Sequence, residues 1–147
     1  MSEMIIRHIK DYENALNLLE YYKNDLPPLN SKTTDLKQMA IKLVNNAIIL
    51  SCEIEGKSIG FTAFYANNIT DREAYISLIA VDQNYRKTGI GSVLLDFIFD
   101  DLKKHGLNRV RLEVYKNNIV GISFYKKNGF TYLCEAHENS QYMIKYL

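Results

Sequence analysis

The sequence predicts a mixed α/β fold: one domain over residues 1–147, with helices on both faces of a largely antiparallel sheet. Three observations predict it. Apolar residues switch between helical and extended spacing along the chain. A strand–helix–strand run at residues 74–115 calls for one parallel pair with a right-handed crossover. The remaining strands follow one another across short polar turns, as hairpins do.

Taken in order, Ile5, Ile6 and Ile9 mark a short first strand. Tyr12, Ala15, Leu16, Leu19 and Tyr22 recur at helical spacing, and Pro27-Pro28 ends that helix. Thr33 or Thr34 is placed to cap a second helix, whose apolar face is Leu36, Met39, Ala40, Leu43 and Val44. From Ala47 the pattern turns extended. Ile48 to Ile54, the turn Glu55-Gly56-Lys57 and Ile59 to Tyr65 read as a hairpin. Asn67-Asn68 and Thr70-Asp71 turn the chain again into Ala74 to Val81. That run is nearly all apolar, so it is expected to be central and covered on both faces. Ile90, Val93, Leu94, Phe97, Ile98 and Leu102 then form the stripe of a long helix, closed by His105-Gly106. Val110, Leu112 and Val114 alternate with Arg109, Arg111, Glu113 and Tyr115, a half-buried strand. Asn118 is placed to cap a short helix that ends at Asn128-Gly129, and Phe130 to Ala136 with Tyr142 to Tyr146 close the chain as a hairpin. The order is β-α-α-β-β-β-α-β-α-β-β.

Composition narrows the function classes. A formal net charge of +1 argues against a nucleic-acid partner, which selects a basic excess. No run approaches the ~18 consecutive apolar residues of a membrane span, and the first residues lack the apolar stretch of a secretory leader. Cys52 and Cys134 lie far apart, each in or beside an apolar run, and are expected to be buried free thiols, compatible with a cytoplasmic location. No metal site is expected.

The chemistry concentrates at Arg86-Lys87-Thr88-Gly89-Ile90-Gly91, between the apolar strand and the long helix. Glycines in a helix's first turn weaken it by up to about 1 kcal/mol each relative to alanine, so something should offset them. One answer is close backbone approach by an anion. A helix N-terminus offers unpaired N–H groups and partial positive charge, and Arg86 and Lys87 add full charges. The other answer is a plain turn in which Thr88 caps the helix. Two other phosphate motifs do not fit. A Walker loop needs Gly-Lys-Ser/Thr in that order, and a dinucleotide fingerprint needs a small residue where Leu94 stands.

Read together, the two halves of the region resemble the GNAT superfamily of N-acetyltransferases. The first block is Leu78-Ile79-Ala80-Val81-Asp82-Gln83-Asn84-Tyr85 followed by Arg86 to Gly91. The second is Leu112-Glu113-Val114, Asn118, and Phe124-Tyr125-Lys126-Lys127-Asn128-Gly129-Phe130. The resemblance covers residues 47 to 132. Gly121 departs from it, standing where many relatives have alanine. The resemblance implies a GNAT-like fold with a splayed central parallel strand pair, and acetyl-CoA as cosubstrate.

By that resemblance the amides of residues 86 to 91, with Ser92 following, hold the pyrophosphate: Arg86, Lys87, Thr88, Gly89, Ile90, Gly91 and Ser92. The pantetheine arm would lie between strands 75–81 and 109–115 and pair with backbone near Ile79 and Val81. The Val81 amide would face the thioester oxygen. Asn118 would position the arm, cap the helix, or do both. Tyr125 matches the general acid, against a reading as a packed aromatic. For the base, Glu113 matches a position used in some relatives, Tyr75 stands where others carry glutamate, and His137 is a further candidate beside a water chain. Glu113 is equally explained by a surface ion pair, and His137 by a solvated turn.

The activity implied is acetyl transfer from acetyl-CoA to a primary amine by direct attack in a ternary complex. Residues 24–32 with Tyr65, Ser77 and Tyr115 are expected to set specificity. The eleven tyrosines suit a compact polar acceptor such as an amino sugar, amino acid or polyamine. A peptide N-terminus or protein lysine is the alternative, and a non-catalytic acyl-CoA-binding module is the alternative of another class. The last hairpin would offer an edge for a homodimer.

Overall fold

Residues 3–26 and 34–147 are described by the computed structural model. Pro27-Pro28, Thr33 and residues 27–32 of the expected specificity segment lie outside the described residues. The elements are β1 (Met4–Ile9), α1 (Tyr12–Tyr22), α2 (Leu36–Asn46), β2 (Ile48–Ile54), β3 (Lys57–Asn68), β4 (Glu73–Val81), α3 (Ile90–Lys104), β5 (Arg109–Tyr115), α4 (Ile119–Lys127), β6 (Thr131–Glu135) and β7 (Ser140–Tyr146). The strands form a seven-stranded sheet in the order β1-β2-β3-β4-β5-β7-β6. Only β4 and β5 pair in parallel among the registers described, from Glu73↔Arg109 to Ile76↔Leu112. There the ladder ends. β4 runs on to Val81 and β5 to Tyr115.

The chain divides into two compact units. The first comprises Met1–Phe64 with Leu78–Leu94, the second Tyr65–Ser77 with Leu95–Leu147. In the first unit β1, β2 and β3 form an antiparallel meander, with Ile9 opposite Ile49 and Ile48 opposite Phe64. Glu55 and Gly56 turn β2 into β3 with φ of 51° and 77°, the left-handed pair that a two-residue hairpin turn demands. α1 is capped by Asp11, whose carboxylate accepts from the Asn14 amide at 3.1 Å, and it buries Ala15, Leu18, Leu19 and Tyr22. Tyr22 stacks on Phe61 at 5.0 Å between centroids. The α2 cap is Asp35, accepting from the Lys37 and Gln38 amides, where Thr34 was expected. A carboxylate one residue nearer the helix reaches both orphan donors.

In the second unit β5 pairs with β7 and β7 with β6, all antiparallel. α3 ends as Gly106 predicted. The Leu107 amide donates to the Leu102 carbonyl and the Gly106 amide to Lys103, with Gly106 at φ 77°. The buried stripe of α3 takes in Leu95 and Phe99, while Phe97, expected inside, is 46% exposed. Phe99 packs against Phe130 instead.

Two further expectations change. β4 is central but not covered on both faces. Ala74, Ile76, Leu78 and Ala80 are buried, whereas Tyr75, Ile79 and Val81 are half-buried and Ser77 is exposed. An apolar composition had hidden a strict alternation. Cys52 is a buried free thiol, but Cys134 is exposed, because β6 is the margin of the sheet and every residue of it faces solvent. No described helix is long and apolar enough to cross a membrane.

Candidate active site

The first group of site residues belongs to the first unit. β4 ends at Val81, and Asp82 fastens the turn that follows. The Asp82 amide donates to the Ile59 carbonyl at 2.9 Å. Its carboxylate accepts from the Asn84 amide at 2.9 Å and from the Tyr21 hydroxyl. The Tyr21 bond, with the Asn84 bond, holds the Asp82 carboxyl below its ordinary range and raises the phenol. Arg86 Nε donates to the Val81 carbonyl at 3.3 Å, and its guanidinium meets Asp25 at 3.1 Å. The loop is thereby tied to Tyr21, near the C-terminal end of α1, and to Asp25 just beyond that helix.

Between Arg86 and α3 the backbone enters the left-handed region twice, at Lys87 (φ 64°) and Gly89 (φ 92°). Gly89 therefore precedes the helix, and only Gly91 sits in its first turn. A Cβ built on Gly89 meets nothing within 4 Å, so it is the backbone angle, not crowding, that calls for glycine there. The Val93 amide donates to the Gly89 carbonyl at 3.0 Å, the first bond of the ladder. The amides of Ile90, Gly91 and Ser92 precede it in the first turn. Thr88 does not cap them. Its hydroxyl turns back to the Tyr85 carbonyl. The first turn of α3 thus follows directly on a glycine with open space beside it, and a helix N-terminus suits a phosphate group.

Gly60 is a residue the sequence reading missed. A Cβ there would lie 3.1 Å from Ile90 Cγ2, 3.2 Å from the Ala80 carbonyl oxygen and 3.3 Å from Leu94 Cδ1. Its absence lets α3 settle directly on β3, with Ile90 and Leu94 in one cluster with Cys52 and Ile59. No motif marks this glycine, because its constraint comes from a helix 30 residues or so downstream.

The second group belongs to the second unit. Asn118 caps α4, its side-chain oxygen accepting from the Gly121 amide at 2.9 Å. A Cβ on Gly121 would run into that side chain. Tyr125 lies half-buried on α4 between Phe124 (5.4 Å) and Phe130 (5.7 Å). Removal from water pushes its phenol up to about 12, so it stays protonated through the neutral range.

On β5, Arg109, Arg111, Glu113 and Tyr115 share a face with their register partners Tyr146, Ile144, Tyr142 and Ser140. Glu73 on β4 pairs with Arg109 at 3.2 Å and Arg111 at 3.4 Å, and Arg111 lies over the Tyr142 ring at 4.9 Å. Glu113 Oε2 accepts from the Ser140 hydroxyl at 2.6 Å and lies 2.9 Å from His137 Nδ1. Burial pushes the Glu113 carboxyl up, but the bonds from Ser140 and His137 outweigh it and hold it below its ordinary range. Tyr75 is raised to about 12 by burial, then by Glu113 and Tyr142. Two of the residues weighed as base, Glu113 and His137, are thus in direct contact. Ser140, which joins them, carried no sequence signal.

Residues 15–130 match the family model described as the acetyltransferase (GNAT) family. An uncharacterized N-acetyltransferase of Methanocaldococcus jannaschii is 42% identical over 83 residues, 54% of this chain and 37% of that one. The ribosomal protein bS18-alanine N-acetyltransferase of Escherichia coli is 37% identical over 68 residues, 46% of each chain. These matches therefore span less than half of either relative. Among solved structures, the PaiA N-acetyltransferase of Thermoplasma acidophilum, in complex with coenzyme A, superposes with a TM-score of 0.79 at 23% identity, covering 99% of both chains.

Proposed function

Because the chain belongs to the acetyltransferase (GNAT) family, we propose that it transfers an acetyl group from acetyl-CoA to the α-amino group of a polypeptide. The observation that supports the cosubstrate is the left-handed turn at Lys87 and Gly89, with open space beside Gly89, leading straight into the first turn of α3. The residues fit a pyrophosphate: Arg86, Lys87, Thr88, Gly89, Ile90, Gly91 and Ser92 would hold it. We assign the arm to backbone at Ile79 and Val81, where β4 has run past the end of its ladder with β5. Asn118 spends only its side-chain oxygen on the α4 cap, so its amide N–H groups would be left to position the arm.

Acetyl-CoA, when bound, supplies an activated acyl group on a good leaving sulfur. The chain's own residues do the rest. They hold amine and thioester together, which removes much of the entropic part of the barrier. Tyr125 is the proton donor to the departing sulfur, and Glu113 belongs to the side that takes the proton from the amine.

The similarity to an alanine N-acetyltransferase favours a peptide N-terminus as acceptor. A small polar amine is the second reading, favoured by half-buried Tyr75 and Tyr142 beside Glu113, whose phenols can hydrogen-bond a compact acceptor. A CoA-release assay separates them. Alanine-initiated peptides should turn over at kcat/KM at least about tenfold above free amino acids, amino sugars and polyamines, a gap of about 1.4 kcal/mol. The reverse order supports the second reading. CoA binding at the α3 N-terminus without turnover on any of these amines would mark a non-catalytic module.

A further inference from the structure

We infer that His137 is the proton acceptor for the substrate amine and that Glu113 is its positioning residue, an inference that rests on the acetyl-transfer reading above. Glu113 Oε2 is engaged twice, by the Ser140 hydroxyl at 2.6 Å and by His137 Nδ1 at 2.9 Å. An ionised carboxylate only accepts, so Nδ1 must carry the proton it shares. In neutral imidazole that leaves Nε2 with its lone pair free. The histidine side chain is 74% exposed and the Glu113 side chain 28%. The group open to an incoming amine is thus the imidazole, while the carboxylate is set behind it.

The geometry that holds the pair is built into the β6–β7 turn. Ser140 is 1% exposed, and its hydroxyl accepts from the His137 amide at 3.1 Å while donating to Glu113. The Ser140 amide closes the turn on the His137 carbonyl at 3.2 Å, and the Ala136 amide bonds the Ser140 carbonyl at 3.1 Å. One serine therefore fixes both the backbone of the histidine and the carboxylate that orients its ring. The charged and titratable groups around the pair are Tyr75 from β4, Arg111 from β5 and Tyr142 from β7. The Lys116–Glu135 ion pair adds charge near the β6 end, and Glu138 adds it in the turn itself.

His137 Nε2 takes a proton from the acceptor's ammonium. The neutral amine nitrogen forms the C–N bond to the acyl carbon as the C–S bond breaks, and the sulfur leaves with its electron pair. Tyr125 supplies the proton that the sulfur takes up. The proton lost by the nitrogen after attack and that held by the imidazolium pass to water and to the tyrosinate, restoring the starting state.

The test uses the full chain, acetyl-CoA and an alanine-initiated hexapeptide, with free alanine and spermidine as further acceptors. His137→Ala should lower kcat about 10²-fold, leave KM for acetyl-CoA unchanged and recover activity with added imidazole. Glu113→Gln should lower kcat by less than His137→Ala, because an amide in its place leaves the imidazole present but allows the other tautomer. A structural role for the turn would not produce imidazole rescue. Unchanged turnover in His137→Ala, or lost turnover that imidazole does not restore, overturns the inference. Independently of activity, ¹⁵N-resolved imidazole spectra of the wild type should show the Nδ1–H tautomer in neutral His137, and an Nε2–H tautomer overturns it too. Absence of turnover by the wild type on every acceptor strikes the acetyl-transfer reading instead, and the spectra still decide the pairing.

Discussion

The Phe130 amide donates to the Tyr125 carbonyl at 3.0 Å while the two rings meet edge to face at 5.7 Å. The Gly129 amide bonds the Lys126 carbonyl at 3.0 Å, and Gly129 sits at φ 95°. This is a Schellman cap with its accompanying apolar contact, and it explains the spacing Tyr-x-x-x-Gly-Phe in purely local terms. The glycine supplies the left-handed residue, and the phenylalanine packs on the tyrosine that it also hydrogen-bonds. The proposed acid is therefore held by the end of its own helix.

Gly129→Ala should break this arrangement. The left-handed angle strains any Cβ, and at this position the new atom would also collide with Lys145 Nζ. A loss of about 1–3 kcal/mol is expected, read as a lower midpoint in urea with unchanged slope. Turnover should fall with it, since Tyr125 loses its support. Wild-type stability in this variant would show that the cap does not hold the helix end.

Tyr125→Phe tests the acid directly. Turnover should fall about 10²–10⁴-fold while CoA affinity, measured by calorimetry, stays within about twofold. The same substitution carries a stability signature. Desolvation pushes the Tyr125 phenol up to about 12 from 10.0, so the unfolded chain ionises first as pH rises. The stability it contributes is fully present below about pH 10 and is lost as pH climbs toward 12. Tyr22 and Tyr75, also raised to about 12, act in the same direction. The variant should therefore lose less stability than the wild type between about pH 9 and pH 11. Parallel pH profiles would contradict the burial of this hydroxyl.

Gly89→Ala should weaken coenzyme A binding with little steric disturbance. Space is open around the missing Cβ, and only the backbone angle of 92° resists the change. Straining that angle, or letting the loop relax away from it, should cost about 1–2 kcal/mol, or roughly 5- to 30-fold in Kd for coenzyme A. Equal affinity for both proteins would remove the α3 N-terminus from the binding site.

Asp25→Asn should do the opposite. Its carboxylate holds the Arg86 guanidinium at 3.1 Å in an exposed pair that a phosphate would have to compete with. Release of Arg86 should tighten coenzyme A binding by about two- to fivefold at low salt, the gain shrinking as ionic strength rises. Weaker binding would mean that Asp25 positions Arg86 for the ligand instead of withholding it.

The order of elements, the two Schellman caps and the glycine-rich loop could be read from sequence because each is decided within a few residues. An αL angle at Gly106 or Gly129, a helix cap at Asn118 and a hairpin at Glu55-Gly56 need no distant partner. What the sequence could not reveal is whatever depends on contacts between remote segments. Tyr21 meets Asp82 across 61 residues, and Glu113 meets His137 and Ser140 across 24 and 27. Gly60 is glycine because of Ile90 and Leu94 on another element, and Phe97 is exposed because α3 turned Phe99 inward. Local backbone preference set the elements of this protein. Packing between elements decided which face of each was buried, and so which polar side chains were left facing one another in the site.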